Sequence, residues 1–143
     1  MSDREALDRR WREMLSTGDM PGATRFLGFE FIDFDSHDGW CEAAFHPNEH
    51  TLNPAGKVQG GFISAMLDEV MSIAGSIVQP VYSMVPTLQM TTNFLRPVPA
   101  TRLIARGEVV RSGRTTVHTR GMLYDTGRKL LAEASAACVP RAL

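Results

Sequence analysis

The chain has 143 residues, a formal net charge of −1, 43% hydrophobic side chains and 22% charged ones. That length suits one domain with a real core rather than two, and the balanced charge excludes a basic face for nucleic acid or an anionic membrane. Cys41 and Cys138 show no metal or redox spacing and are expected as reduced thiols of a cytoplasmic protein.

The N-terminus is charged from Asp3 onward and lacks the apolar run of a signal peptide. Asp3 to Thr17 predicts an amphipathic helix, with Leu7, Trp11, Met14 and Leu15 on one side, capped by Ser2 or Asp3 and stopped by Gly18. It serves either as a lid or as a packing helix. Phe26, Phe29, Phe31 and Phe34 place a first strand over Arg25 to Asp35, and the turn cluster Asp35–Gly39 joins it to a second over Trp40 to Phe45. His46 to Lys57 reads as loop, because Pro47, Asn48, Asn53, Pro54 and Gly56 discourage regular structure.

Val58 to Val78 is the long helix around which the chain is organised. Ile63, Leu67, Val70, Ala74 and Ile77 form its apolar stripe, and Gly61, Ser64, Asp68, Ser72 and Gly75 a second stripe of small and polar residues. Asp68 and Glu69 at its centre argue against a membrane span. Beyond it, Ser83 to Leu95 alternates Val85, Thr87, Gln89, Thr91 and Asn93 with Met84, Leu88, Met90, Thr92 and Phe94. Further strands are expected over Arg102 to Arg111, Thr115 to Asp125 and Arg128 to Val139. Their short links favour antiparallel pairing. The fold class is α+β, a long helix against an antiparallel sheet, with residues 1–143 forming a single domain and residues 1–20 its N-terminal helix.

Three groups of residues carry possible chemistry. Gly60-Gly61 opens the long helix, where free N–H groups and the helix dipole favour an oxyanion; the same pair also suits a tight approach to a strand. Asp68 either needs a functional partner or is hydrogen-bonded at an interface. It lies eight residues past Gly60, roughly 12 Å along the axis, so one carbonyl cannot touch both in the same copy, and joint action requires two subunits. Arg111-Ser112-Gly113-Arg114 sets two guanidinium groups on a turn, solvated or gripping phosphate. Met66, Met71, Met84 and Met90 line an acyl pocket or fill the core. His37, His46, His50 and His118 lack ligand spacing, so no metal or other cofactor is expected.

Asn53, Gln59-Gly60-Gly61, Leu67-Asp68, Asn93-Phe94-Leu95-Arg96-Pro97 and Gly113-Arg114, in that order, resemble the hot-dog fold thioesterases, in particular the PaaI-like branch of phenylacetic acid degradation. The resemblance covers about residues 25 to 140 and implies an acyl-CoA thioesterase with sites built by two subunits of a homodimer or homotetramer. It assigns Asp68 as nucleophile or general base, the Gly60 amide to the thioester carbonyl, and Asn53 to orienting thioester or water. Thr87 matches a hydroxyl position on the following strand, and Gly61, Arg111, Gly113 and Arg114 fall near the coenzyme A. One departure stands out: Gln59 occupies the place of the family's usual histidine and cannot become a cation near neutral pH. A non-catalytic acyl-CoA or aromatic-ligand binder is the alternative this swap suggests; a dehydratase or hydratase pairing an Asp with His50 is a third.

Overall fold

The computed structural model describes residues 1–17 and 19–143, so the expected stop at Gly18 lies outside the described residues. Helix α1 (Asp3–Ser16) starts on a reciprocal cap: the Ser2 hydroxyl accepts from the Glu5 N–H, and the Ser2 N–H donates to the Glu5 carboxylate. Trp11 and Leu15 are buried, so this is a packing helix: they join Phe34, Cys41, Ile73, Ala74 and Ile77 in a satellite core.

Residues expected to begin the first strand instead form a short helix, α2 (Gly22–Phe26), and the strand β1 covers Phe29–Asp35. Of the phenylalanine run only Phe34 is fully buried, and Phe26, 43% exposed, belongs to the helix, so the run did not mark where the strand begins. Gly28, at φ +70°, marks the break, and a Cβ there would collide with the backbone of His46. Strand β2 (Trp40–Phe45) pairs antiparallel with β1. The following loop contains one turn of 3₁₀ helix, Glu49–Thr51, before the long helix α3 (Gly60–Ile77).

The strand expected over Ser83 to Leu95 is two strands. The short β3 (Ser83–Met84) pairs with β8 (Arg141–Ala142), which was not anticipated, and β4 (Thr87–Phe94) pairs with β7 (Leu130–Cys138). Pro86 sits at the break, where it cannot donate to a ladder. With β5 (Leu103–Ser112) and β6 (Val117–Tyr124), the main sheet runs β1-β2-β5-β6-β7-β4, antiparallel throughout. Strand β4 therefore occupies an edge.

Helix α3 lies across the concave face of this sheet. Ile63, Leu67, Val70, Ala74 and Ile77 are all buried, as their spacing predicts. Met66 and Met71 are core fillers at 0% exposure, whereas Met84 is exposed and Met90 half-buried. Gly107 on β5 sets the depth of the helix: a Cβ there would land on the carbonyl oxygen of Val70. No side chain separates the two backbones at that crossing.

Gly107→Ala should therefore lift α3 off the sheet and cost about 3 kcal/mol or more of unfolding free energy. Denaturant titration checks this; a midpoint shift no larger than that of an exposed substitution would contradict the close approach.

Candidate active site

Asp68 lies midway along α3 on the small-residue stripe that faces β4. A β-bulge decides its partner. Thr87 pairs with Cys138 and Gln89 with Ala137, so Leu88 is the extra residue in the ladder. Strict alternation would place Thr87 on the face of Gln89, Thr91 and Asn93. The bulge turns it to the helix-facing side with Met90, Thr92 and Phe94, where its hydroxyl donates to Asp68 Oδ1 at 2.6 Å. One helical turn earlier, Ser64 Oγ donates to Thr92 Oγ1 at 3.0 Å. The stripe is thus stitched to the edge strand, and Asp68, Ser64 and Ser72 stay partly exposed beside it.

Gly60 lines a groove of about 530 Å³ together with Asn53, Lys57, Val58, Ile63, Phe94, Leu95, Arg96 and Val98, among others. Its walls are mainly apolar, and Lys57 and Arg96 bring two positive charges. The Arg96 guanidinium is anchored by donating through Nη1 to the Leu130 carbonyl at 2.7 Å. As first residues of α3, Gly60 and Gly61 present N–H groups with no acceptor one turn back in the helix. A Cβ on Gly60 would come within 3.1 Å of the Phe94 ring, so only glycine fits there without crowding that ring.

Asn53 joins the groove, but its Oδ1 already accepts from the N–H groups of Ala55 and Lys57. Only its amide group is left to donate to a ligand. Gln59 caps α3 without a side-chain hydrogen bond, is exposed, and folds its Oε1 over Gly61. Arg111, Gly113 and Arg114 stand elsewhere. Gln79, just past the C-terminal end of α3, donates to Ser112 Oγ at 3.2 Å, so the arginine turn is a full helix length from Gly60 within one protomer. Asp68 and Gly60 are separated along α3 as the sequence spacing requires. The structure brings together Asp68 with Thr87, and Gly60 with Asn53. Lys57, which sequence reasoning passed over, carried no signal beyond its place two residues before Gln59-Gly60-Gly61.

Among the described residues no group of three or more histidine, cysteine, aspartate or glutamate side chains is arranged to hold a metal ion. His46 is engaged with Glu30 at 2.7 Å, and His118 stands exposed on the outer face of β6.

A long helix embraced by an antiparallel sheet, opening on a glycine pair beside an apolar groove, defines a hot-dog fold protein of the thioesterase class. Residues 55–132 match the family model described as the Thioesterase superfamily, and the chain belongs to that family. A curated Haemophilus influenzae protein, named provisionally as an esterase, is 32% identical over 92 residues, 64% of this chain and 65% of that one. The match thus spans just under two thirds of that relative's length. A Ralstonia eutropha structure, described as a phenylacetic acid degradation-related protein and provisionally a thioesterase, superimposes with a TM-score of 0.83. It is 32% identical, over 90% of this chain and 98% of that one. A Streptococcus mutans protein bound to acetyl-CoA shares the fold at 20% identity and a TM-score of 0.75, over 87% of this chain and 95% of that one.

Next to Asp68, Glu69 turns away from β4 toward α2, where the Thr24 hydroxyl, itself 3% exposed, donates to its Oε1 at 2.7 Å. Burial raises the Glu69 pKa above its ordinary 4.5; the Thr24 hydrogen bond opposes this, and the neighbouring Asp68 charge adds to it. An acid raised in this way binds more protons folded than unfolded, so its contribution is most favourable below the ordinary value and is lost as pH rises through the folded value. Glu69→Gln keeps an acceptor for Thr24 and removes the buried charge. Its Tm should exceed that of the native chain at neutral pH by a few degrees, with the gap closing below about pH 4.5. A gap that widens on acidification would contradict this.

Proposed function

We propose that this chain is an acyl-CoA thioesterase that hydrolyses a hydrophobic acyl or aryl thioester to the free acid and coenzyme A. One observation carries the reading: Gly60, whose N–H has no acceptor within its helix, lines a mainly apolar groove that also carries Lys57 and Arg96. Thioesterase-family membership, and the acetyl-CoA held by the Streptococcus mutans protein of the same fold, support it.

The thioester carbonyl oxygen sits on the Gly60 N–H at the positive end of α3, with Gly61 beside it. Asn53 donates its amide to the thioester or to the attacking water. Asp68 acts as general base, taking a proton from water as the water oxygen bonds to the carbonyl carbon, or as nucleophile through its own oxygen. Either route builds a tetrahedral oxyanion at Gly60. Its collapse breaks the C–S bond, and the departing coenzyme A thiolate takes up a proton. On the nucleophilic route the acyl group is left on Asp68 as a mixed anhydride, which water then hydrolyses to the free acid and the regenerated carboxylate. Thr87 holds the carboxylate in place, and Gln59 contributes by position and hydrogen bonding alone.

Because Gly60 and Asp68 lie roughly 12 Å apart on one helix, the Asp68 serving each Gly60 comes from a second copy. Strand β4 favours that assembly: it is an edge strand with Leu88 68% exposed and Phe94 53% exposed. Unpaired strand edges invite a further strand. Joining two copies along β4 lays their α3 helices side by side, forming a homodimer, or a homotetramer if two dimers associate.

Two sets of cations compete for the phosphates of coenzyme A. Lys57 and Arg96 line the groove of Gly60, whereas Arg111 and Arg114, flanking Gly113, reach it only from a neighbouring subunit. A second reading, a non-catalytic acyl-CoA binder, is favoured by Gln59, which stands free of the groove.

Incubation with a panel of acyl-CoAs, with release of free thiol followed, separates these readings. Thiol release supports the hydrolase, and binding without release supports the binder. Asp68→Asn should lower kcat by roughly a thousandfold while the oligomer measured by light scattering is unchanged; an unchanged kcat would remove Asp68 from the mechanism. Lys57→Ala should raise KM about tenfold at low salt, with a smaller effect at high salt. If Arg111→Ala and Arg114→Ala raise KM and Lys57→Ala does not, the phosphates belong to the arginine turn.

A further inference from the structure

Behind Asp68, on the side away from the groove, lies a buried thiol that the hydrolysis outlined above does not use. Cys138, the last residue of β7, is 0% exposed, and its Sγ lies 3.8 Å from Thr87 Oγ1. Thr119 on β6 projects from the same inner face and is 1% exposed. Its Oγ1 is buried without a full hydrogen bond of its own, and it faces the same sulfur. Asp68, Thr87, Cys138 and Thr119 thus follow one another from the partly exposed stripe of α3 into the core.

The protons on these groups fix the direction of the chain. A threonine hydroxyl has one hydrogen. At 2.6 Å from Asp68 Oδ1, the Thr87 hydrogen is committed to the carboxylate, since an ionised carboxylate only accepts. The contact between Thr87 and Cys138 therefore has the thiol as donor. Burial raises the Cys138 pKa above its ordinary 9.0, which keeps that hydrogen on sulfur.

We propose that Cys138, backed by Thr119, is a positioning residue for the hydrolysis. Its thiol donates to Thr87, so that the Thr87 hydrogen is held on Asp68 Oδ1 and Oδ2 is the oxygen presented to the reaction. This inference rests on the proposed role of Asp68. Without the thiol hydrogen, Thr87 keeps its bond to Asp68 Oδ1 but loses the contact that fixes its rotamer from behind, so the pair is held less rigidly and the carboxylate is presented in more than one orientation. The sulfur is shut off from the groove, so substrate binding does not depend on it.

Steady-state thiol release from an acyl-CoA by the full-length native protein, Cys138→Ala and Cys138→Ser tests this. Both variants lose similar volume, and only serine keeps a donor. Cys138→Ala should lower kcat roughly fivefold with KM unchanged, and Cys138→Ser should recover most of that loss. Equal losses in both variants, or a change confined to KM, would overturn the proposal. The infrared S–H stretch gives a second readout that needs no turnover and no cysteine variant that might misfold. The Cys138 band should move to higher frequency in Thr87→Val, where the acceptor is gone, and Cys41 supplies an internal reference. A band that does not move would equally overturn the proposal. Full turnover by Asp68→Asn would instead sink the proposed function, leaving the infrared band to report on the hydrogen bond alone.

Discussion

The contact between the Val70 carbonyl on α3 and the bare backbone of Gly107 on β5 governs the rest of the architecture. A helix normally rests on a sheet through a layer of side chains, about 10 Å away. Here one position lacks that layer, and the helix sinks into the curve of the sheet. Gly121 on β6 and Gly75 on α3 extend the same close packing: a Cβ on Gly121 would reach the Met71 side chain at 3.0 Å, and one on Gly75 would reach Val85 at 3.0 Å. Packing at this density leaves little freedom to rotate the helix, so the directions of Asp68 and Glu69 are set by backbone contact rather than by their own preferences.

Those directions divide two neighbouring carboxylates. Successive residues on a helix diverge by about 100°, so Asp68 meets β4 and Glu69 meets α2. Each accepts one threonine hydroxyl, from Thr87 at 2.6 Å and from Thr24 at 2.7 Å. Asp68 lies beside an unpaired strand edge that a second copy can reach; Glu69 is covered by α2. The chemistry assigned to Asp68 and the pH-dependent stability assigned to Glu69 follow from this division.

The outer face of the sheet is occupied differently. Arg106 bridges Glu42 and Glu108, each at 3.0 Å, and stacks over Trp40 at 4.5 Å, while Arg120 closes on Glu108 at 2.8 Å. Burial of the Glu108 carboxylate raises its pKa, but the hydrogen bonds from Arg120 and Arg106 outweigh this and leave it below the ordinary range. These pairs lie away from the groove and contribute to the strand ladder rather than to the site. Partly exposed pairs of this kind each add little, and their joint effect is to hold β2, β5 and β6 in register.

The sequence by itself determined the elements whose periodicity is unambiguous. The apolar stripe of α3, the antiparallel pairing from β5 to β7 and the glycine pair at the head of the helix all follow from local patterns that the fold does not override. It also determined that Gly60 and Asp68 are too far apart on one helix for one carbonyl to touch both in the same copy. Only the tertiary structure decided which side chains those elements present to one another. The Leu88 bulge reverses the face of Thr87, an effect that alternation along a single strand cannot reveal because it depends on the ladder with β7. The split of one expected strand into β3 and β4 depends on β8 having a partner, and the nearness of Arg96 to Gly60, like that of Cys138 to Thr87, comes from chain closure over long sequence separations. Local spacing encodes secondary structure because its interactions are short in sequence; a site assembled across the sheet is set by packing, which no single stretch contains.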